Sequence, residues 1–123
     1  MAKGGNFWVF AILILGLLYT GFTCDLNNIQ YEVERSERII LGEQEWNVTM
    51  LQTCPNCSMS NITFRNCNNW LTVEPVDPTI FSKDGDKCVL IDNNILKPGQ
   101  HVNFSYAWDT PVVWIPDSAV VIC

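Results

Sequence analysis

Residues 28–34 alternate strictly, with Ile29, Tyr31 and Val33 on one parity and Gln30, Glu32 and Glu34 on the other. Successive side chains of an extended chain point to opposite faces, so this period of two predicts a half-buried β-strand. Trp46, Val48 and Met50 repeat the pattern against Asn47 and Thr49. Ile62 and Phe64 oppose Thr63 and Arg65, and Val102, Phe104 and Tyr106 oppose His101, Asn103 and Ser105. Val89 and Ile91 mark a fifth run, and residues 119–122 form a closing apolar strand before Cys123. Turn signals separate the runs: Leu41-Gly42, Glu74-Pro75, Asp77-Pro78, Asp84-Gly85-Asp86, Asp92-Asn93-Asn94, Lys97-Pro98-Gly99 and Ile115-Pro116-Asp117. No stretch after Cys24 carries a 3.6-residue period with a cap. The pattern predicts a small antiparallel β-sandwich of about six to eight strands, without repeat or linker. Trp46 falls on the apolar face of its strand and is expected in the core. Trp70, Trp108 and Trp114 fall near strand ends or turns, where exposure is expected.

The first 23 residues break the pattern. Lys3 is their only charge, and residues 7–22 form an apolar or small-residue run of 16, short of the ~20 that a membrane-spanning helix needs. Thr20, Gly21 and Thr23 are small residues at its end, so 1–23 reads as a signal peptide cleaved near Thr23–Cys24 and 24–123 as the secreted domain.

Six cysteines (Cys24, Cys54, Cys57, Cys67, Cys88 and Cys123) all lie after that segment. An even count in a short exported chain reads as three disulfides, with 15 pairings open. Cys54-Pro55-Asn56-Cys57 has the spacing of a redox CxxC, but no βαβ pattern or helix start surrounds it. A zinc site is disfavoured because His101 is the one histidine. Asn47, Asn56, Asn61 and Asn103 each open an N-x-S/T sequon. Twelve Asn and fourteen Ser or Thr in 123 residues predict about 1.4 sequons by chance, so four support a secreted glycoprotein. Strand parity points Asn47, Asn61 and Asn103 to solvent, and Asn56, inside the Cys54–Cys57 turn, is expected to be the least occupied.

Charge narrows the partners. Residues 24–123 carry six Lys or Arg against thirteen Asp or Glu, a net charge of −7, which disfavours nucleic acid and anionic lipid surfaces. Catalysis finds no support. His101 sits on the polar parity of its strand, Glu74 and Asp77 precede prolines in an extended turn, and Asp84-Gly85-Asp86 reads as a tight turn. About 100 residues without a βαβ pattern offer no nucleotide-sugar domain to use a D-x-D motif. No enzyme activity, cofactor or metal is expected.

From Cys24 to Cys123 the chain resembles the plant TAPETUM DETERMINANT family of small secreted cysteine-rich proteins. The resemblance rests on Cys24 followed by Ile29-Gln30-Tyr31-Glu32-Val33, on Thr53-Cys54 with Cys57 behind it, and on Cys67. It continues through Glu74-Pro75-Val76-Asp77-Pro78, Gly85-Asp86-Lys87-Cys88-Val89-Leu90, Pro98-Gly99, Phe104-Ser105-Tyr106-Ala107-Trp108-Asp109 and Cys123. It implies an extracellular (apoplastic) ligand for a leucine-rich-repeat receptor kinase in anther cell-fate specification or related development. Founding members carry a longer segment before the first cysteine, so the chain looks like a divergent paralogue. A cell-wall carbohydrate-binding module is the competing reading, because Trp46, Trp70, Trp108 and Trp114 offer rings for stacking sugars. A protease inhibitor comes third, lacking an identifiable reactive loop. Glycans on Asn47 and Asn103 would mask one sheet face. A partner is therefore expected at the loop end bearing 74–77, 83–87 and 108–114, with Glu74, Asp77, Lys87, Trp108 and Trp114 as its candidate contacts.

Overall fold

The computed structural model describes residues 24–123, so the signal peptide expected over 1–23 lies outside the described residues. The alternating runs become seven strands: β1 (Ile29–Ile40), β2 (Glu43–Gln52), β3 (Ser58–Arg65), β4 (Phe81–Asp84), β5 (Lys87–Leu90), β6 (His101–Ala107) and β7 (Ile115–Ile122). They form two antiparallel sheets, ordered β1-β2-β6 and β4-β5-β3-β7. The predicted parity holds: Ile29, Val48, Met50, Ile62, Phe64, Val102, Phe104 and Tyr106 are buried between the sheets. No helix among the described residues is long and apolar enough to cross a membrane.

The chain passes from sheet to sheet at a corner built on a buried amide. Gln52, at the end of β2, is fully buried, and its Nε2 donates to the Cys57 carbonyl at 2.8 Å. Its Oε1 accepts from the Cys54 backbone N–H. A buried amide must find partners for both ends, and these contacts fold the 53–57 segment around it. Cys54 and Cys57 do not pair with each other. The disulfides are Cys24–Cys54, Cys57–Cys123 and Cys67–Cys88, and no cysteine is free.

Loop tryptophans complete the core. Trp70 and Trp114 lie inside an aromatic cluster with Tyr31, Phe64, Phe81, Phe104 and Tyr106, mostly edge to face. Two tyrosines strap the β6–β7 connection over it. The Tyr31 hydroxyl accepts from the Trp114 N–H and donates to the Trp114 carbonyl, both at 2.8 Å. The Tyr106 hydroxyl accepts from the Val112 N–H at 2.9 Å. Burial pushes both phenols above the usual tyrosine range.

Several expectations are corrected. In β5 the buried residues are Cys88 and Leu90, opposite in parity to Val89. Ile91 has left the strand for a 3-10 turn (Ile91–Asn93) with positive φ throughout. Cys88 sets this face because its disulfide to Cys67 is buried. β4 has no sequence signature: four residues with one buried side chain, Phe81, are too few to show a period. Pro116 lies inside β7 rather than in a turn, as an edge strand permits. The apolar end of β7 is largely exposed. Trp46 is half-buried, with the Arg35 guanidinium 5.9 Å from its ring centre.

Candidate interaction surface

The end of the sandwich where β2 begins and β6 stops gathers most of the unusual surface. Glu45 pairs with Ala107, the last residue of β6, while the β1–β2 ribbon continues through Ile39–Gln44 and Ile40–Glu43 pairs. The ribbon therefore projects as two strands. Leu41 and Gly42 turn it at φ +50° and +83°. Positive φ at both turn positions matches the right-handed twist of a hairpin, which explains Gly42 but strains Leu41 by about 1 kcal/mol. That leucine is 81% exposed, beside an exposed Ile39. The leucine side chain gains no burial in exchange for that strain.

Hydrogen bonds fix the tip's surroundings. The Trp108 N–H donates to the Gln44 carbonyl at 3.1 Å, and the Trp108 carbonyl accepts from the Trp46 indole N–H at 3.0 Å. Thr72 and Val73 add a rung to β6: the Ala107 N–H donates to the Thr72 hydroxyl and the Val73 N–H to the Ala107 carbonyl, each at 3.0 Å. This rung delivers Glu74 to the base of the ribbon. There Glu45, only 2% exposed, accepts from the Ser36 hydroxyl at 2.7 Å and pairs with Arg38 at 3.5 Å. The Ser36 bond, followed by Glu74 and Arg38, holds the Glu45 carboxyl below the usual glutamate range. Burial first, and the neighbouring Glu45 second, push the Glu74 carboxyl above it. One Glu74 oxygen is buried without a hydrogen-bond partner, in keeping with a carboxyl that burial and the neighbouring Glu45 push toward its protonated form.

The candidate contacts divide. Glu74 and Trp108 stand at this end, and Trp108 is partly buried. Lys87 is exposed at the start of β5, ion-paired to Asp117 of β7 at 2.9 Å, which raises its ammonium pKa. Asp77 is separate, ahead of β4 and at the other end of the β4–β5 hairpin from Lys87. Its carboxylate accepts from the Thr79 N–H and hydroxyl at 2.9 and 2.8 Å, which lowers its pKa and caps its own turn. Trp114 is a correction: it is 1% exposed, because its position just before β7 turns the ring into the aromatic cluster. Trp70 is a second correction, 4% exposed with its ring in the same aromatic cluster, and of the three indoles near strand ends or turns Trp108 alone keeps some exposure.

The four sequon asparagines are exposed. Asn47 and Asn103 are diagonal neighbours on the outer face of the three-stranded sheet, since Asn47 pairs with Ser105 and Asn103 with Thr49. Asn61 sits at φ +51° in a bulge of β3, and Asn56 in the exposed turn between Cys54 and Cys57. His101 is exposed on β6 opposite Leu51. The sulfurs of Cys24, Cys54 and Cys57 lie within 4.8 Å of one another, yet all are in disulfides and offer no thiolate to a metal. An open groove of about 370 Å³ runs between residues 70–78 and β4, with Leu71, Val76 and Pro78 on its wall.

Sequence reasoning missed Ile39, Leu41 and Glu45. Leu41-Gly42 registers as a turn, but exposure of its flanking apolar residues depends on β6 stopping short. Glu45 lies on the polar side of an apparent turn and is buried only because residues 72–74 cross over it.

Comparison with known proteins returns one family. The family model described as "Tapetum determinant 1, C-terminal" matches residues 25–123. No curated protein and no solved structure matches the chain.

Proposed function

The chain belongs to the Tapetum determinant 1 family, and from that membership we propose that it is a secreted ligand recognised by the ectodomain of a leucine-rich-repeat receptor kinase, acting in anther cell-fate specification or related plant development. Membership of this family points to a role in plant developmental signalling. The observation that carries the reading is the extent of the match, which runs from residue 25 to residue 123 and takes in all seven strands. The small three-disulfide fold suits the oxidising extracellular space. A rigid sandwich also presents its loops at low ordering cost, which suits a recognition module.

The receptor-facing surface in this reading is the ribbon end, with Leu41 as apolar anchor and Trp108, Glu74 and Ile39 around it. Asn47 and Asn103 lie on the sheet face left to glycans. Their diagonal placement on adjacent strands puts two bulky hydrated groups close together, which suits solvent better than an interface.

Binding of the secreted protein to immobilised leucine-rich-repeat ectodomains tests the proposal. Asn47→Gln and Asn103→Gln should leave affinity unchanged, while Leu41→Asn and Trp108→Ala should each weaken it by about tenfold or more, the scale of an interface anchor. Failure of the wild-type protein to bind any such ectodomain would count against the ligand reading. Loss of affinity in the Asn variants alone would move the surface to the sheet face.

A further inference from the structure

Two of the three disulfides share one corner of the sandwich. The sulfurs of Cys24, Cys54 and Cys57 lie within 4.8 Å of one another, and Cys123 is bonded to Cys57, so four sulfurs form a single cluster. Their access to solvent is unequal. Cys123 is exposed and Cys24 half-buried, whereas Cys57 is 7% and Cys54 0% exposed. Cys67 and Cys88 are fully buried, and their bridge offers a dissolved thiol no entry. A thiolate attacks a disulfide at the sulfur it can reach, and the other sulfur leaves. In this cluster the reachable sulfur is that of Cys123, and Cys57 is its leaving group.

Cys57 stays in place when its partner goes, because bonds other than disulfides hold the corner. The Gln52 amide takes the Cys57 carbonyl at 2.8 Å and the Cys54 N–H. The Thr53 N–H and hydroxyl both donate to the Asn28 carbonyl, at 2.8 and 3.1 Å. Met59 and Leu96 exchange both backbone bonds, at 3.0 and 2.7 Å. The Asn56 side-chain oxygen lies 3.6 and 3.8 Å from the Cys54 and Cys57 sulfurs, so both sulfurs flank one atom of the turn. A thiolate released at Cys57 therefore stands beside the Cys24–Cys54 bond, in a buried site that solvates an anion poorly.

We propose that this corner is a disulfide-exchange site: a small thiol that opens the Cys57–Cys123 bond passes the break inward, and Cys54 changes partner from Cys24 to Cys57. The reaction runs through three balanced exchanges. The external thiolate bonds to the Cys123 sulfur, and Cys57 leaves as a thiolate. Cys57 bonds to the Cys54 sulfur, and Cys24 leaves as a thiolate. Cys24 bonds to the Cys123 sulfur and returns the external thiolate. Nothing is oxidised or reduced overall, so the thiol acts catalytically. The product carries Cys54–Cys57 and Cys24–Cys123, with Cys67–Cys88 untouched. The end of β7 is thereby untied from the start of β3 and joined to Cys24, close to the Leu26–Asn28 turn that already packs on β7.

The exchange is independent of the receptor reading, and its test reads covalent bonds instead of binding. Cleavage after Lys and Arg leaves Cys54 and Cys57 together on residues 39–65. In the native pairing that peptide is tied to those of Cys24 and Cys123, and after exchange it comes away alone with an internal bond. The full chain secreted from eukaryotic cells is held with substoichiometric reduced glutathione, blocked with N-ethylmaleimide at acid pH, stripped of N-glycans, digested and mapped by mass spectrometry. The internally bonded 39–65 peptide should rise about tenfold or more over the untreated protein. Cys123→Ser, with no added thiol, should show the Cys54–Cys57 bond and a maleimide on Cys24. Cys57→Ser combined with Cys123→Ser should keep Cys24–Cys54 intact in glutathione, because the relay sulfur is gone. An unchanged near-ultraviolet spectrum verifies that the variants fold, and the wild-type measurement stands without them. A treated wild type whose 39–65 peptide stays tied to Cys24 and Cys123 overturns the proposal. So does Cys123→Ser with maleimide on Cys57 and Cys24–Cys54 unbroken. Loss of Cys67–Cys88 in step with the exchange overturns it as well, because the exchange would then follow unfolding. Release of Cys24 in the double variant has the same force, because the thiol would then attack that bond directly.

Discussion

Trp114 shows how far a single residue's role depends on its surroundings. Its ring centre lies within 5.8 Å of those of Tyr31, Phe81, Tyr106 and Trp70, and both its backbone polar groups are held by the Tyr31 hydroxyl. Trp114→Ala removes a full aromatic from a close-packed site and should cost about 3–5 kcal/mol. Denaturant unfolding checks this, and a loss below about 1 kcal/mol would mean that the ring is not in the core. Glu74 predicts a pH dependence. A carboxyl whose folded pKa is raised contributes stability that is fully present below its unfolded value and lost as pH climbs through the folded one. Glu45, with its pKa lowered, works in the opposite sense and loses its contribution only as pH falls through its folded value. The wild type should therefore lose melting temperature as pH rises from the ordinary glutamate range through the raised pKa of Glu74. In Glu74→Gln the amide donates to Glu45 at every pH, so that decline should vanish. Parallel slopes for the two proteins would show that Glu74 does not carry this pH dependence.

The β1–β2 ribbon carries the clearest conflict between local preference and surface. Leu41 sits at φ +50° where glycine or asparagine would be relaxed, and its side chain gains no burial in return. Leu41→Gly should leave stability unchanged or raise it by about 0.5–1 kcal/mol while weakening receptor binding. Thermal melts and ectodomain binding, measured on the same preparation, check both halves. A variant that melts lower would show that Leu41 serves the fold. The hairpin's register tolerates such a change because the Ile40–Glu43 and Ile39–Gln44 pairs are set by backbone bonds. β7 poses the complementary case, an element whose pairing is complete on one side only.

The whole molecule depends on its cross-links. The disulfides span 30, 66 and 21 residues, and the chain-entropy relation assigns each about 3–4 kcal/mol. Their combined effect, about 10 kcal/mol, is comparable to the entire net stability of a domain this size. Reduction should therefore unfold the protein at or below about 37 °C, with tryptophan emission shifting red as Trp70 and Trp114 meet water. Unchanged emission in reductant would mean that the core holds without them. Strand faces were legible in the alternation of residues 28–34, 46–50, 62–65 and 102–106, because period two is a local property of an extended backbone half-covered by a core. The exposure of Asn47, Asn61 and Asn103 follows from the same local rule. The sequence alone therefore determined a disulfide-rich β-sandwich and the side of each long strand that faces water. Which cysteines pair, why β5 turns Cys88 inward, and why Glu45 is buried were decided only by tertiary structure. So were the burial of Trp114 and the exposure of Val120. Each of these depends on which distant segment crosses over a given residue, and no period along the chain records that meeting.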